Sequence, residues 1–114
     1  MAQPVVHFEV LGKDGKKLQE FYGKLFDWNV DASNPMAYGM VAGSDGGIGG
    51  GIAQAQDSQP RVTFYVNVPD LAAALKKAES LGGKTVMPPM AVPGGPEIAQ
   101  FSDPEGNVIG LSKM

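Results

Sequence analysis

The order of apolar and polar residues predicts a strand followed by an amphipathic helix near the start of the chain. Residues 5–10 (VVHFEV) alternate so that His7 and Glu9 lie on one face of the strand and apolar residues on the other. Asp14 is placed to cap the following helix. An apolar stripe then recurs at helical spacing, and we interpret it as core: Leu18, Phe21, Tyr22, Leu25 and Phe26.

This strand-helix unit recurs 56 positions later as VTFYVNVPDLAAALKKAESLGG. His7 then falls on Thr63 and Asp14 on Asp70. The second strand, at 61–68, places Thr63 and Tyr65 on one face. In the second helix an apolar stripe that ends at Leu81 is expected to face the core, and one glycine after it is expected to adopt a left-handed conformation.

Further strands are predicted at 28–32, 37–42, 84–87, 97–102 and 107–113, with a proline-rich loop at 88–96. The glycine-rich stretch 43–51 lacks the spacing of a dinucleotide fingerprint or a P-loop. We interpret it as a turn that leads into a glycine-rich strand, with room beside it for a ligand or another backbone. Each half of the chain therefore reads β-α-β-β-β.

Composition limits the class of protein. The 114 residues suit a single domain, 1–114, with module one at about 1–57 and module two at about 58–114. The sequence has no cysteine, which excludes disulfides and thiolate chemistry and suits the cytoplasm, where we expect the protein to act. The net charge of -3, without a basic stripe, argues against nucleic acid as a partner. No segment approaches the roughly 20 apolar residues that a membrane-spanning helix needs, so we expect no membrane partner.

The motifs HFEV-x3-D-x6-FY-x2-LFDW, DLAAALKKAESLGGK and FSDPEGNVIGL together resemble the vicinal oxygen chelate superfamily of glyoxalase, bleomycin resistance and dioxygenase proteins. The resemblance implies an α+β fold in which two βαβββ modules form a mixed, curved, eight-stranded sheet around a shared cleft. Members commonly form dimers and hold one divalent metal that polarises paired oxygens of a substrate. We expect a homodimer here as well, since small sheets leave edges that need covering.

The resemblance also implies where metal ligands would lie: one on the first and one on the last strand of each module. His7 matches the first position, and Thr63 takes the matching position of module two. The last-strand position falls on Gly110, and its equivalent, counted back by 56, is Gln54. One good ligand and one amide therefore remain, whereas a catalytic divalent site normally keeps about three protein ligands.

The candidate pocket residues are His7, Glu9, Gln54, Thr63 and Tyr65. His7 could be a hydrogen-bonded structural histidine, a pocket residue or a metal ligand. Glu9 could be a structural partner, a general base or an acceptor for a ligand N–H. Tyr65 fits a pocket or a core equally well. No catalytic residue is assigned.

Two functions follow from these expectations. The first is a glyoxalase-like protein that binds a small organic molecule and has largely lost the usual metal site, so that no cofactor is expected. The alternative is a metal-dependent lyase, isomerase or dioxygenase that acts on a small oxygen-chelating substrate, with a divalent metal bound through His7. A purely structural dimerisation module is a third interpretation.

Overall fold

A computed structural model describes residues 2–113, which fold into eight strands and two helices. The elements are β1 (Val5–Gly12), α1 (Gly15–Phe26), β2 (Val30–Asp31), β3 (Gly39–Val41), β4 (Gly49–Gln54), β5 (Arg61–Asn67), α2 (Leu71–Ser80), β6 (Lys84–Ala91), β7 (Glu97–Ser102) and β8 (Val108–Lys113). This order confirms the predicted α+β class and the repeated β-α-β-β-β pattern. None of the helices within 2–113 is long and apolar enough to span a membrane.

Backbone contacts divide the chain into two compact units. The first unit is His7–Thr63, and the second comprises residues 2–6 together with 64–113. The first unit holds strands in the order β2-β3-β4-β1, and the second holds β5-β8-β7-β6. The strand pairing within each unit is mixed, because β1 pairs with β4, and β5 with β8, in parallel, while the other pairs are antiparallel. The shared cleft stays a prediction.

Both helices begin where the sequence predicts. The carboxylate of Asp14 accepts a hydrogen bond from the Lys17 backbone N–H at 3.1 Å, and Asp70 accepts one from Ala73 at 3.0 Å. Helix α2 and its C-cap are followed by Gly82 in a left-handed conformation, with φ of 101°. The Gly83 N–H donates to the Ala78 carbonyl at 2.9 Å, which closes the expected glycine cap.

The core of the second unit lies between α2 and its sheet. Five buried residues form it: Val68, Leu71, Leu75, Ala99 and Leu111. The prediction that Leu81 faces this core is wrong, because Leu81 is 70% exposed. Helix α2 has already ended at Ser80, so Leu81 is the capping residue and no longer follows the helical stripe.

The prediction that the whole apolar stripe of α1 is core is also wrong. Phe21, Leu25 and Phe26 are 57%, 56% and 51% exposed. The helix is anchored through Gly15, where an added Cβ would lie 2.5 Å from the Gln54 backbone nitrogen, and through Gln19, which donates to the Ile52 carbonyl at 2.8 Å. The five apolar residues occupy a wider part of the helix surface than the part held against β4 by Gly15 and Gln19, so some of them stay exposed.

One loop prediction needs correction as well. Strand β6 continues to Ala91 and thus enters the stretch 88–96 that the prolines mark as a loop. β6 is the outer strand of its sheet, and its pairing with β7 shifts register between Met87 and Met90. Proline is tolerated on an edge strand and at bulges, because no ladder hydrogen bond is lost there.

Candidate functional site

Three polar side chains form a hydrogen-bonded chain in the first unit. The Tyr38 hydroxyl donates to Oε2 of Glu9 at 2.9 Å and lies 2.8 Å from Nε2 of His7. With the hydroxyl proton directed to Glu9, the same oxygen can accept a hydrogen bond from Nε2 of His7. Tyr38 therefore joins the two residues that strand alternation had placed on one face of β1.

The site is partly shielded from water, since Glu9 is buried while His7 and Tyr38 are of intermediate exposure. Glu9 is only 9% exposed, and burial lowers the pKa of His7 below its ordinary value of 6.5. A neutral imidazole with its proton on Nε2 matches this donor role of His7. The buried carboxylate of Glu9 accepts a hydrogen bond, as a buried polar group requires.

Tyr38 is held in place through its own backbone. The Asn34 side chain pairs with both backbone groups of Tyr38, donating to its carbonyl at 2.7 Å and accepting from its N–H at 2.9 Å. Gln19 of α1 donates to the adjacent Ala37 carbonyl at 3.1 Å. The Asn34-Pro35 turn thus fixes the direction in which Tyr38 enters β3.

The tyrosine ring occupies the space that Gly51 leaves open. A Cβ added at Gly51 would lie 1.9 Å from both Cζ and Oη of Tyr38. On the neighbouring Gly50, an added Cβ would lie 2.3 Å from the Phe8 ring. The room beside the glycine-rich strand, which could have held a ligand or another backbone, is therefore taken up by aromatic side chains.

Strand register identifies the counterpart of Gly110. In the first unit Glu9 is opposite Gly51, and in the second unit Tyr65 is opposite Gly110. Since Glu9 and Tyr65 are repeat equivalents, the counterpart of Gly110 is Gly51. Counting back by 56 gives Gln54 instead of Gly51. The count misses by three because module one has three residues fewer between its first and last strands.

The prediction that Gln54 is a pocket residue and the counterpart of Gly110 is therefore wrong. Gln54 is exposed and pairs with Gly12 at the end of β4, and its separation of three from Gly51 puts it on the other face of the strand. The structure does not bring it to the cluster of His7, Glu9 and Tyr38.

The two candidates on β5 are both buried. Thr63 is 8% exposed and belongs to the first unit, whereas Tyr65 is 5% exposed and belongs to the second. Gln100 of β7 donates to the Tyr65 hydroxyl at 3.2 Å, and an added Cβ at Gly110 would lie 2.3 Å from the Tyr65 ring. A tyrosine therefore covers the last-strand glycine in each unit.

The residues present fit a divalent metal poorly. No three histidine, cysteine, aspartate or glutamate side chains come together within residues 2–113. Both last-strand positions carry glycine, and Nε2 of His7 is engaged by the Tyr38 hydroxyl in this arrangement. Sequence reasoning identified His7 and Glu9 but missed Tyr38, for which the only signal was the open space beside the glycines.

The two βαβββ units and the strand order within each define the class of fold. A family model described as "Glyoxalase-like domain" matches residues 8–112. The chain belongs to this family, within the vicinal oxygen chelate superfamily that the motifs indicate.

Solved structures agree with this fold. A glyoxalase/bleomycin resistance protein/dioxygenase superfamily member from Vibrio splendidus 12B01 has 13% identity and a TM-score of 0.68, covering 99% of this chain and 100% of that one. The methylmalonyl-CoA epimerase from Mycobacterium tuberculosis has 15% identity and a TM-score of 0.71, covering 96% and 86%. A hypothetical protein from Bacillus halodurans C-125 has 9% identity and a TM-score of 0.73, covering 100% and 96%. No curated protein matches the chain significantly.

Proposed function

We propose that this protein binds a small organic molecule and that this binding requires no divalent metal. The observation that carries the proposal is the Tyr38 ring over Gly51, with its hydroxyl between His7 and Glu9. Tyr38 takes the space above the last-strand glycine and engages Nε2 of His7, the residue that would bind a metal. The remaining polar groups are suited to hydrogen bonding rather than to Lewis-acid chemistry.

The alternative is a metal-dependent lyase, isomerase or dioxygenase that acts on a small oxygen-chelating substrate. The observation in its favour is the buried carboxylate of Glu9, joined to His7 through one hydroxyl. A carboxylate in such a place can serve as a general base, so Glu9 would have a catalytic role in this alternative.

Metal analysis separates the two functions. The untagged protein, purified without chelators, is incubated with Mn²⁺, Fe²⁺, Ni²⁺ or Zn²⁺, desalted and analysed for metal by mass spectrometry, alongside His7→Ala. We expect less than about 0.1 metal per chain for both proteins, because a site short of about three ligands holds metal weakly. One metal per chain or per dimer that is lost in His7→Ala would overturn the proposal in favour of the enzyme.

A second measurement tests ligand binding directly. Small molecules that copurify with the protein are released by denaturation and identified by mass spectrometry, in the wild type and in Tyr38→Phe. Tyr38→Phe keeps the ring over Gly51 and removes only the hydroxyl, so it serves as a matched variant. We expect an organic molecule in the wild type and less of it in Tyr38→Phe. Equal retention by both proteins would argue against binding at this cluster.

A further inference from the structure

A row of positions crosses the strands of the first unit beside the Tyr38 hydroxyl. Glu9 of β1 is opposite Gly51 of β4, and Gly51 is opposite Met40 of β3. Met40 is in turn opposite Asp31 of β2. Residues that are opposite one another share a face of the strands, and Tyr38 shares it as well because it precedes Met40 by two positions. We call this row the Met40 row, with these members: Glu9, Gly51, Met40 and Asp31.

The centre of the Met40 row is apolar and open. Met40 is 47% exposed although β3 lies between β2 and β4. On one side its neighbour is Gly51, which has no side chain to cover it. A methionine side chain adapts to apolar groups and makes favourable contacts with aromatic rings. The row therefore offers a ligand an apolar surface next to the Tyr38 hydroxyl.

The outer end of the row carries a negative charge. The Ser33 hydroxyl and the Ser33 N–H, the latter at 2.9 Å, both donate to Oδ1 of Asp31. The hydrogen bond from the hydroxyl is the main reason why the pKa of Asp31 lies below its ordinary value, so this exposed carboxylate is ionised at neutral pH. Both bonds use Oδ1, which leaves Oδ2 for a ligand. Opposite residues have Cβ atoms about 4.5–5.5 Å apart, so one small molecule can contact both Met40 and Asp31.

The positive charges of the first unit lie elsewhere. Its lysines are on α1 or in the loop before it: Lys13, Lys16, Lys17 and Lys24. A Cβ added at Gly39 would lie 2.8 Å from Nε2 of Gln19, and Gly39 alternates with Met40, so α1 packs on the face opposite the Met40 row. Arg61 is already paired, because its Nη1 donates to both carboxylate oxygens of Asp57 at 3.0 and 3.1 Å. The charge near the row is therefore negative.

We propose that the small molecule bound by the first unit carries a protonated amine, which binds Asp31, and an apolar or aromatic group, which lies on Met40 beside Tyr38. This inference rests on the proposed function and adds the chemical class of the ligand to it. A neutral ligand would leave the Asp31 carboxylate without a partner, and an anionic ligand would be repelled by it. The row thus selects its ligand by charge.

Three probes that share a phenyl ring and differ in charge test this selection. Phenethylamine is a cation, phenethyl alcohol is neutral and phenylacetate is an anion at neutral pH. Each is titrated at low ionic strength into isotope-labelled protein, and the backbone amide signals are followed by nuclear magnetic resonance. We expect phenethylamine to shift the signals of Asp31 and Met40 with a dissociation constant on the order of 1 mM, as a probe this small allows. The alcohol should bind about three- to fivefold more weakly, and phenylacetate most weakly of all.

Substitutions within the row separate the two contacts. Asp31→Asn removes the charge but keeps an oxygen for Ser33, so the amine and the alcohol should then bind equally well. Met40→Ala should weaken the binding of both probes about threefold. The matched controls are Asp45→Asn, at an exposed aspartate in the turn before β4, and Met90→Ala, at a methionine of β6 that is 48% exposed. Neither control should change the binding of any probe.

Several results would overturn the inference. They are equal binding of the amine and the alcohol by the wild type, tighter binding of phenylacetate, a preference for the amine that survives Asp31→Asn, and no shift at Asp31 or Met40 up to about 10 mM phenethylamine. The proposed function is judged separately, by the molecule that copurifies with the wild type and is reduced in Tyr38→Phe. If that molecule has no amine, this inference fails while the proposed function stands.

Discussion

Replacing Gly51 by alanine tests whether the glycine exists to accommodate Tyr38. The added Cβ would lie 1.9 Å from Cζ and Oη of the Tyr38 ring, whereas carbon atoms in contact are normally about 3.5–4.0 Å apart. The overlap is with the far end of a side chain, so the ring can swing away without compressing the backbone of β4. The Tyr38 hydroxyl then loses its bonds of 2.8 Å with His7 and 2.9 Å with Glu9.

The expected cost follows from these two hydrogen bonds. A neutral bond contributes about 0.5–1.5 kcal/mol and a bond to a charged group about 1.5–3 kcal/mol. The displaced hydroxyl recovers part of this by hydrogen bonding to water, so we expect Gly51→Ala to lower the free energy of unfolding by roughly 2–3 kcal/mol. In a domain of this size, that corresponds to a fall in melting temperature of roughly 10 °C.

A double-mutant cycle makes the argument testable. Urea unfolding is followed by Trp28 fluorescence and far-UV circular dichroism in the wild type, Gly51→Ala, Tyr38→Ala and the double variant. Without the Tyr38 ring there is no overlap, so Gly51→Ala should then cost less than about 0.5 kcal/mol, a coupling of roughly 2 kcal/mol. Gly110→Ala is the matched control, because it meets Tyr65 instead and Tyr38→Ala should not rescue it. Equal costs of Gly51→Ala in both backgrounds would refute the reasoning.

Substitutions at three further positions have defined outcomes in urea unfolding. Burial lowers the pKa of His7, so the unfolded chain binds the proton more tightly than the folded chain does. The free energy of unfolding of the wild type should therefore fall as pH drops below about 6.5. His7→Gln should make this fall smaller between about pH 7.5 and 5. Ser112→Ala should not destabilise and should gain up to about 1 kcal/mol, since the buried Oγ of Ser112 has no hydrogen-bond partner within residues 2–113. A loss above about 1 kcal/mol would contradict this. Asp70→Ala should cost about 1 kcal/mol through the lost helix cap and Asp70→Asn much less, whereas equal costs would rule out the cap.

Features that depend on neighbouring residues could be predicted from the sequence. Asp14 and Asp70 cap the helices as expected, because the cap joins a side chain to a backbone group only three residues away. Gly82 adopts the left-handed conformation for a similarly local reason. The repeat also predicts the order of elements, since strand and helix periodicities are properties of short windows.

Features that depend on distant contacts could not be predicted. The apolar stripe of α1 shows that residues such as Phe21 and Leu25 avoid water, but it does not show what covers them. Tyr38 meets His7 across 31 positions of the chain, through a strand register that no local pattern encodes. The difference of three residues between the modules shifted the predicted counterpart of Gly110 from Gly51 to Gln54.

Both units have a tyrosine ring over the last-strand glycine, but the tyrosine comes from a different position in each unit. The repeat therefore does not specify the chemistry of either unit. Each unit has a glycine at the same position of its last strand and a tyrosine ring above it. In the first unit the ring enters from the residue before β3, and its hydroxyl joins a histidine to a carboxylate. In the second unit the ring comes from β5, at the repeat equivalent of Glu9, and its hydroxyl accepts a bond from Gln100. The repeated backbone therefore specifies where an aromatic ring can fit, whereas the polar partners of that ring give each unit its own chemistry.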